Sequence, residues 1–187
     1  MKISVIIPTY NRILFLKRSI DSVLAQTLQP YEIIIVDDGS DKIEDVIADH
    51  PSVKYFKYDE KMALGKKRNI SNAKCAGDIL VYMDDDDYYP PCRVEHAVTT
   101  LMDNPNADCA GSSKMYMYFK SSNDIYAAGP YGRNHATAAT LAFRRSLLES
   151  TRYNDDDVVS EERTFLKNHE VSFVQLDSEK TILALCH

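Results

Sequence analysis

The sequence predicts an α/β protein whose mostly parallel sheet is flanked by helices, and three observations predict it. Short apolar runs rich in β-branched residues, Lys2–Pro8, Glu32–Val36 and Ile79–Met83, recur through the first half of the chain. Such near-continuous apolar strands are those covered on both faces, as in parallel sheets. Segments of helical periodicity lie between them. Each run also ends in polar or charged residues: Pro8-Thr9-Tyr10-Asn11-Arg12, Asp37-Asp38-Gly39-Ser40 and Asp84-Asp85-Asp86-Asp87. In open α/β sheets, ligands bind beyond the carboxyl ends of the strands.

The elements follow in order. Leu16, Ile20, Val23 and Leu24 recur at helical spacing before Pro30, so the first two strands enclose a helix and a right-handed crossover. Val53–Tyr58 reads as a third strand. Lys66–Ala76 reads as a helix ended by Gly77, after which Ile79–Met83 runs directly into the aspartates. Pro90 and Pro91 suit the first turn of a helix reaching Asp103. The tyrosine-rich Cys109–Phe119 is expected as one strand, and Ser121–His135, with Gly129, Pro130 and Gly132, as a loop. Helices are expected at Phe143–Ser150 and Glu161–His169, and strands at Val171–Leu176 and Thr181–Leu185. No repeat or linker divides the chain. One domain over residues 1–187 is expected, with a nucleotide-binding half (1–107) and an acceptor-facing half (108–187).

Composition limits the function classes. A chain of 187 residues with 44% hydrophobic content can bury one core. Its apolar runs are too short to span a bilayer and its start lacks a signal peptide's hydrophobic region, so a soluble, cytoplasmic protein is expected. Cys75, Cys92, Cys109 and Cys186 lack the paired spacing of a zinc site or a disulfide framework. A net charge of −6 without a basic stripe argues against nucleic acid. An anionic ligand then requires imported positive charge, from a metal or from a few placed lysines and arginines.

The run Asp84–Asp87 is the sharpest signal. Carboxylates crowded at the end of a buried strand repel one another unless a cation or protons intervene. Mg2+ and Mn2+ suit the site, since they take oxygen ligands and complete their shells with water and substrate phosphates. A solvated acidic turn is the plainer reading. An EF-hand is excluded by Tyr89, where that loop requires glycine. A dinucleotide site is excluded because the first strand leads into PTYNR, without the glycine-rich fingerprint. Asp38 with Gly39-Ser40 also suits an Asx-type turn.

Taken together, SVIIPTYNR, IIIVDDGS, KKRN, GDILVYMDDDDYYPP, ATLAFRRSLLE and SEERTFL resemble, in order, the inverting glycosyltransferases of family 2 with the GT-A fold. The resemblance implies a UDP-sugar donor, a Mn2+ or Mg2+ cofactor, and a glycan or glycoconjugate acceptor. Pro8 and Tyr10 would line the base pocket, and Asp38 would accept the N3 proton of uracil, an atom that in cytosine is itself an acceptor. Arg68, with Lys66 or Lys67, would stand near the base or diphosphate, although the family has small residues in place of the two lysines. Asp85 would face the ribose and Asp86 would bind the metal. The general base would come from Glu161-Glu162, with Glu161 favoured by spacing, although the same pair also suits a helix first turn capped by Ser160. His187 resembles the place of a second metal ligand. A non-catalytic nucleotide-sugar or glycan-binding module of the same fold stays open as the alternative.

Overall fold

The computed structural model describes residues 1–41, 47 and 50–186. Its frame is a seven-stranded sheet in the order β3-β2-β1-β4-β8-β5-β9. The strands are β1 (Ile3–Thr9), β2 (Glu32–Asp37), β3 (Val53–Lys57), β4 (Ile79–Tyr82), β5 (Cys109–Gly111), β8 (Ala142–Arg144) and β9 (Phe173–Gln175). Strands β1 to β4 are mutually parallel, whereas β8 runs antiparallel to both β4 and β5. A second sheet, β10-β6-β7, is made of β6 (Met115–Phe119), β7 (Asp124–Ala128) and β10 (Leu183–Cys186).

Side-chain alternation sorts the core into two layers. Val5, Ile7, Ile33, Ile35 and Val81 point to one face, where they pack on Leu16, Ile20 and Val23 of α1 (Ile13–Leu24) and on Val94, Val98 and Leu101 of α3 (Arg93–Asp103). Ile6, Ile34, Val36, Leu80 and Tyr82 point to the other, toward Cys75, Phe143, Tyr153 and Phe165. Burying each such aliphatic side chain contributes about 1.5–3 kcal/mol before the cost of ordering it. Helix α2 (Leu64–Lys74) is the exception, because it buries Lys67, Arg68, Ser71 and Asn72. A helix that turns polar groups inward must satisfy them there. Asn72 accepts from Tyr82 Oη (2.8 Å), and Ser71 Oγ donates to the Lys67 carbonyl (2.8 Å).

The second half departs from expectation in four places. Cys109–Phe119 is two strands in two sheets, broken where Ser112 Oγ bonds the Lys114 carbonyl. The expected loop 121–135 contains β7, whose hairpin with β6 pairs Phe119 with Asp124. Phe143 belongs to β8, wedged between β4 and β5, and only Arg145–Glu149 turns, as a 3-10 helix. The late helix is the single turn α4 (Glu162–Phe165), because Lys167, Asn168 and His169 all take positive φ. Ser160 does too, at 56°, and it does not cap α4. Since β4 of the first half pairs with β8 of the second, the sheet runs unbroken across residues 107 and 108. No described helix is long and apolar enough to cross a membrane.

Candidate active site

The three polar strand ends meet at one edge of the sheet. Behind β1, Asn11 takes φ 51° and its Oδ1 accepts from the Ser40 amide (2.6 Å), tying the first loop to the second. Gly39 is required there, since a Cβ would stand 2.5 Å from the Asn11 amide nitrogen. The Asx-type turn belongs to Asp37 rather than Asp38. Asp37 Oδ1 accepts from the Gly39 amide (2.8 Å), and its Oδ2 from Lys57 Nζ (2.7 Å) and Tyr55 Oη (2.8 Å). Asp38 takes no part in that turn. It is buried, it accepts from the Met62 amide (2.6 Å), and it pairs with Lys67 Nζ at 2.5 Å.

A cavity of about 230 Å³ opens at this edge, lined by Pro8, Thr9, Tyr10, Arg12, Leu64, Lys67 and Asp84 to Asp86. Tyr10 stands at its mouth with Lys61 Nζ 4.4 Å above the ring. Lys67 Nζ also donates to the Thr9 carbonyl (3.0 Å). Of the two lysines expected near the base or diphosphate, Lys66 is exposed and lines a separate depression with Asn69 and Arg152. The reason is helical phase: Lys67 and Arg68 lie on the buried face of α2, one position past Lys66.

The four aspartates have four different environments. Asp84 is held by both terminal nitrogens of Arg68, at 3.2 and 3.0 Å. Asp85 is buried between Thr9 Oγ1 (2.5 Å) and Arg12 Nη1 (2.9 Å), and burial pushes its carboxyl up to about 6 despite both bonds. Asp87 accepts from the Leu185 amide of β10 (3.0 Å), and burial together with its three acidic neighbours pushes it up to about 7. Asp86 is the most available, with a side chain 22% exposed and, among the described residues, a single partner, Arg12 Nη1 at 2.6 Å. No three His, Cys, Asp or Glu side chains among the described residues converge as a complete metal cage. A partly exposed carboxylate held only by a half-exposed arginine, in a surplus of negative charge, suits a hard cation that draws its other ligands from substrate phosphates. His187 lies outside the described residues.

The acidic pair is reached through Arg68. Its guanidinium is fully buried, 4.5 Å over the Tyr82 ring, and its Nε donates to Glu161 Oε1 (2.7 Å). Both ends of Arg68 are therefore occupied by carboxylates, so it is not turned toward the cavity as expected. Phe165 anchors the pair, stacked on Tyr153 at 4.4 Å and packed on Phe143 at 4.9 Å. Glu161 is buried against Arg68, whereas Glu162 is half-buried and its carboxyl is raised by burial and by the charge of Glu161.

Residues 4–125 match the family described as Glycosyl transferase family 2. The chain belongs to that family. It is 33% identical over 125 residues to the uncharacterized glycosyltransferase YwdF of Bacillus subtilis, a match covering 66% of this chain and 46% of that protein. Its fold is the GT-A fold of S. aureus TarS 1-349 in complex with UDP, at TM-score 0.78 and 18% identity over 100% of this chain and 61% of that one. It also matches the mannosyltransferase PcManGT from Pyrobaculum calidifontis in complex with GDP-Man and Mn2+, at TM-score 0.75 and 18% identity over 97% and 56%. This family member thus spans less than half the length of YwdF and about three fifths of those solved chains.

Two residues of this family member's site, Thr9 and Arg12 beside the aspartates, carry no role in the sequence pattern, and Lys67, expected together with Lys66 near the base or diphosphate, instead pairs with Asp38. The inward face of α2 was the available signal for Lys67. Arg12 stands 73 positions from Asp85, and no local pattern relates the two.

Proposed function

We propose that this domain transfers a sugar from a UDP-sugar to a hydroxyl of a glycan or glycoconjugate, with inversion and with a divalent cation at Asp86. The observation that carries the reading is the cavity lined by Tyr10, Lys67 and Asp84 to Asp86, with Asp38 buried directly behind it on Lys67. Tyr10 offers a ring face to the base, and Asp38 accepts the imide proton that uracil has and cytosine lacks. Asp85, next to Arg12, faces the ribose side. Asp86 and, beyond the described residues, His187 would hold Mn2+ or Mg2+. When bound, such a cation supplies positive charge against the departing diphosphate. Family membership and the UDP and Mn2+ carried by fold neighbours support the reading.

For the base, we favour Glu162 over Glu161. Glu161 is committed to Arg68, whereas the half-buried Glu162 has a raised affinity for a proton. Glu162 takes the acceptor hydroxyl's proton, the acceptor oxygen bonds to the anomeric carbon, and the bond from that carbon to the diphosphate oxygen breaks on the opposite face. Thermal denaturation tests the site: UDP with Mn2+ should raise the melting temperature, GDP and CDP should raise it less, and Asp86→Ala should abolish the effect. Equal stabilisation by all three nucleotides without metal rejects the assignment.

A further inference from the structure

We propose that Arg12 is the resident counter-ion of the acidic run, displaced from Asp86 by the divalent cation and then free to pair with the donor's diphosphate. The proposal rests on the reading that Asp86 holds that cation.

Four successive carboxylates at the end of a buried strand need compensation even without a ligand. Two of them find it in the rigid frame, Asp84 on the buried Arg68 and Asp87 on the Leu185 amide. The other two share one nitrogen. Arg12 Nη1 lies 2.9 Å from Asp85 Oδ1 and 2.6 Å from Asp86 Oδ2, so a positive charge sits between two carboxylates as a bridging cation would.

Mobility is distributed unequally across this triad. The Arg12 side chain is 45% exposed, while that of Asp85 is 2% exposed. The Arg12 backbone is fixed, because its carbonyl accepts from the Phe15 and Leu16 amides in the first turn of α1. Only the side chain has to move. The contact with Asp86 joins a 45% exposed arginine to a 22% exposed aspartate, and ion pairs at partly exposed sites are weak and cost side-chain entropy, so a dication can replace this one. Arg12 also lines the cavity beside Asp86, and its remaining guanidinium N–H groups meet no other protein group among the described residues. A guanidinium fork matches phosphate oxygens in pairs.

The consequence is a coupling between ligands. A cation arriving alone must evict Arg12 with nothing to receive it, whereas a cation arriving with a diphosphate gives the arginine a new partner. Removing Arg12 should therefore move two affinities in opposite directions. An arginine that merely supports the fold would weaken both, and one that only binds phosphate would leave the affinity for metal alone unchanged.

The experiment measures Mn2+ binding by electron paramagnetic resonance in wild type, Arg12→Ala and Arg12→Lys without nucleotide, then UDP binding at saturating Mn2+ by calorimetry. In Arg12→Ala, Mn2+ alone should bind roughly three- to tenfold tighter, and UDP should bind weaker by a similar factor. Arg12→Lys should fall between. Mn2+ binding that is unchanged, weaker or absent in Arg12→Ala overturns the proposal. If Arg12→Ala does not melt cooperatively in EDTA, Arg12→Gln serves in its place under the same criteria. Asp86→Ala separates the two readings. If it binds Mn2+ and UDP as wild type does, the cation assignment itself fails; if it loses Mn2+ while Arg12→Ala leaves Mn2+ binding unchanged, only the counter-ion proposal fails.

Discussion

Arg68 Nε donates to Glu161 Oε1 across 2.7 Å, joining residues 93 positions apart inside the protein, while the other end of the same guanidinium grips Asp84. One buried arginine thus sets the distance between the acidic run and the acidic pair that opens α4. Removing it strands two carboxylates at once. Arg68→Met should destabilise the fold by about 3–5 kcal/mol, the usual cost of breaking a buried pair, read by denaturant unfolding. Arg68→Lys should recover only part of this, because one ammonium cannot span both partners.

The two glutamates separate by opposite patterns. Glu162→Gln should lower sugar transfer by about 100-fold or more while leaving UDP affinity and melting temperature near wild type. Glu161→Gln should lower stability, because a neutral amide replaces the carboxylate on Arg68. Transfer assays beside thermal melts decide the order, and the reverse pattern would return the base to Glu161.

Lys66 and Lys67 should differ as sharply as their burial does. Lys67→Met leaves Asp38 buried without its cation and should cost about 3–5 kcal/mol together with UDP affinity. Lys66→Met should stay within about 0.5 kcal/mol of wild type, as surface changes do. Chemical denaturation and UDP titration on both variants provide the check.

The Asp87 carboxyl is pushed up to about 7 by burial and acidic neighbours. In the unfolded chain the group returns to the ordinary aspartate range, so between that range and neutrality the folded state binds the extra proton. Stability therefore falls as pH rises through this window and is regained on acidification. Asp87→Asn keeps an acceptor for the Leu185 amide without the charge. It should raise stability at pH 8 by about 1–3 kcal/mol and flatten the profile between pH 5 and 8, measured by thermal melts in EDTA.

The sequence made the first half legible because its signals are local. Continuous burial along Ile3–Thr9 and Glu32–Asp37 leaves a strand as the consistent choice, and the polar residues after each strand reach one edge through parallel topology alone. The second half was less legible because tertiary context overrides propensity there. Phe143 reads as helical in isolation but is buried between two strands, and the turn after Leu166 is made by three successive residues of positive φ that no glycine announces. At the site, Asp38 and the acidic run were visible as motifs. The partners that distinguish one aspartate from the next, Arg12, Thr9 and Leu185, come from distant segments and became visible only in three dimensions.

The bond from the Leu185 amide to Asp87, with the pairing of Tyr88 and Leu183 beside it, spans 98 residues of chain. A loop stitched by so distant a strand cannot assume its final form early in synthesis. The aspartates leave the ribosome long before β10 does, and closing so large a loop is entropically slow. The central strands can pair while the acidic segment still lacks its last restraint. Binding competence is therefore a late acquisition in the life of the nascent chain, and ligand-induced protection from protease on stalled chains should appear only once residue 185 has emerged.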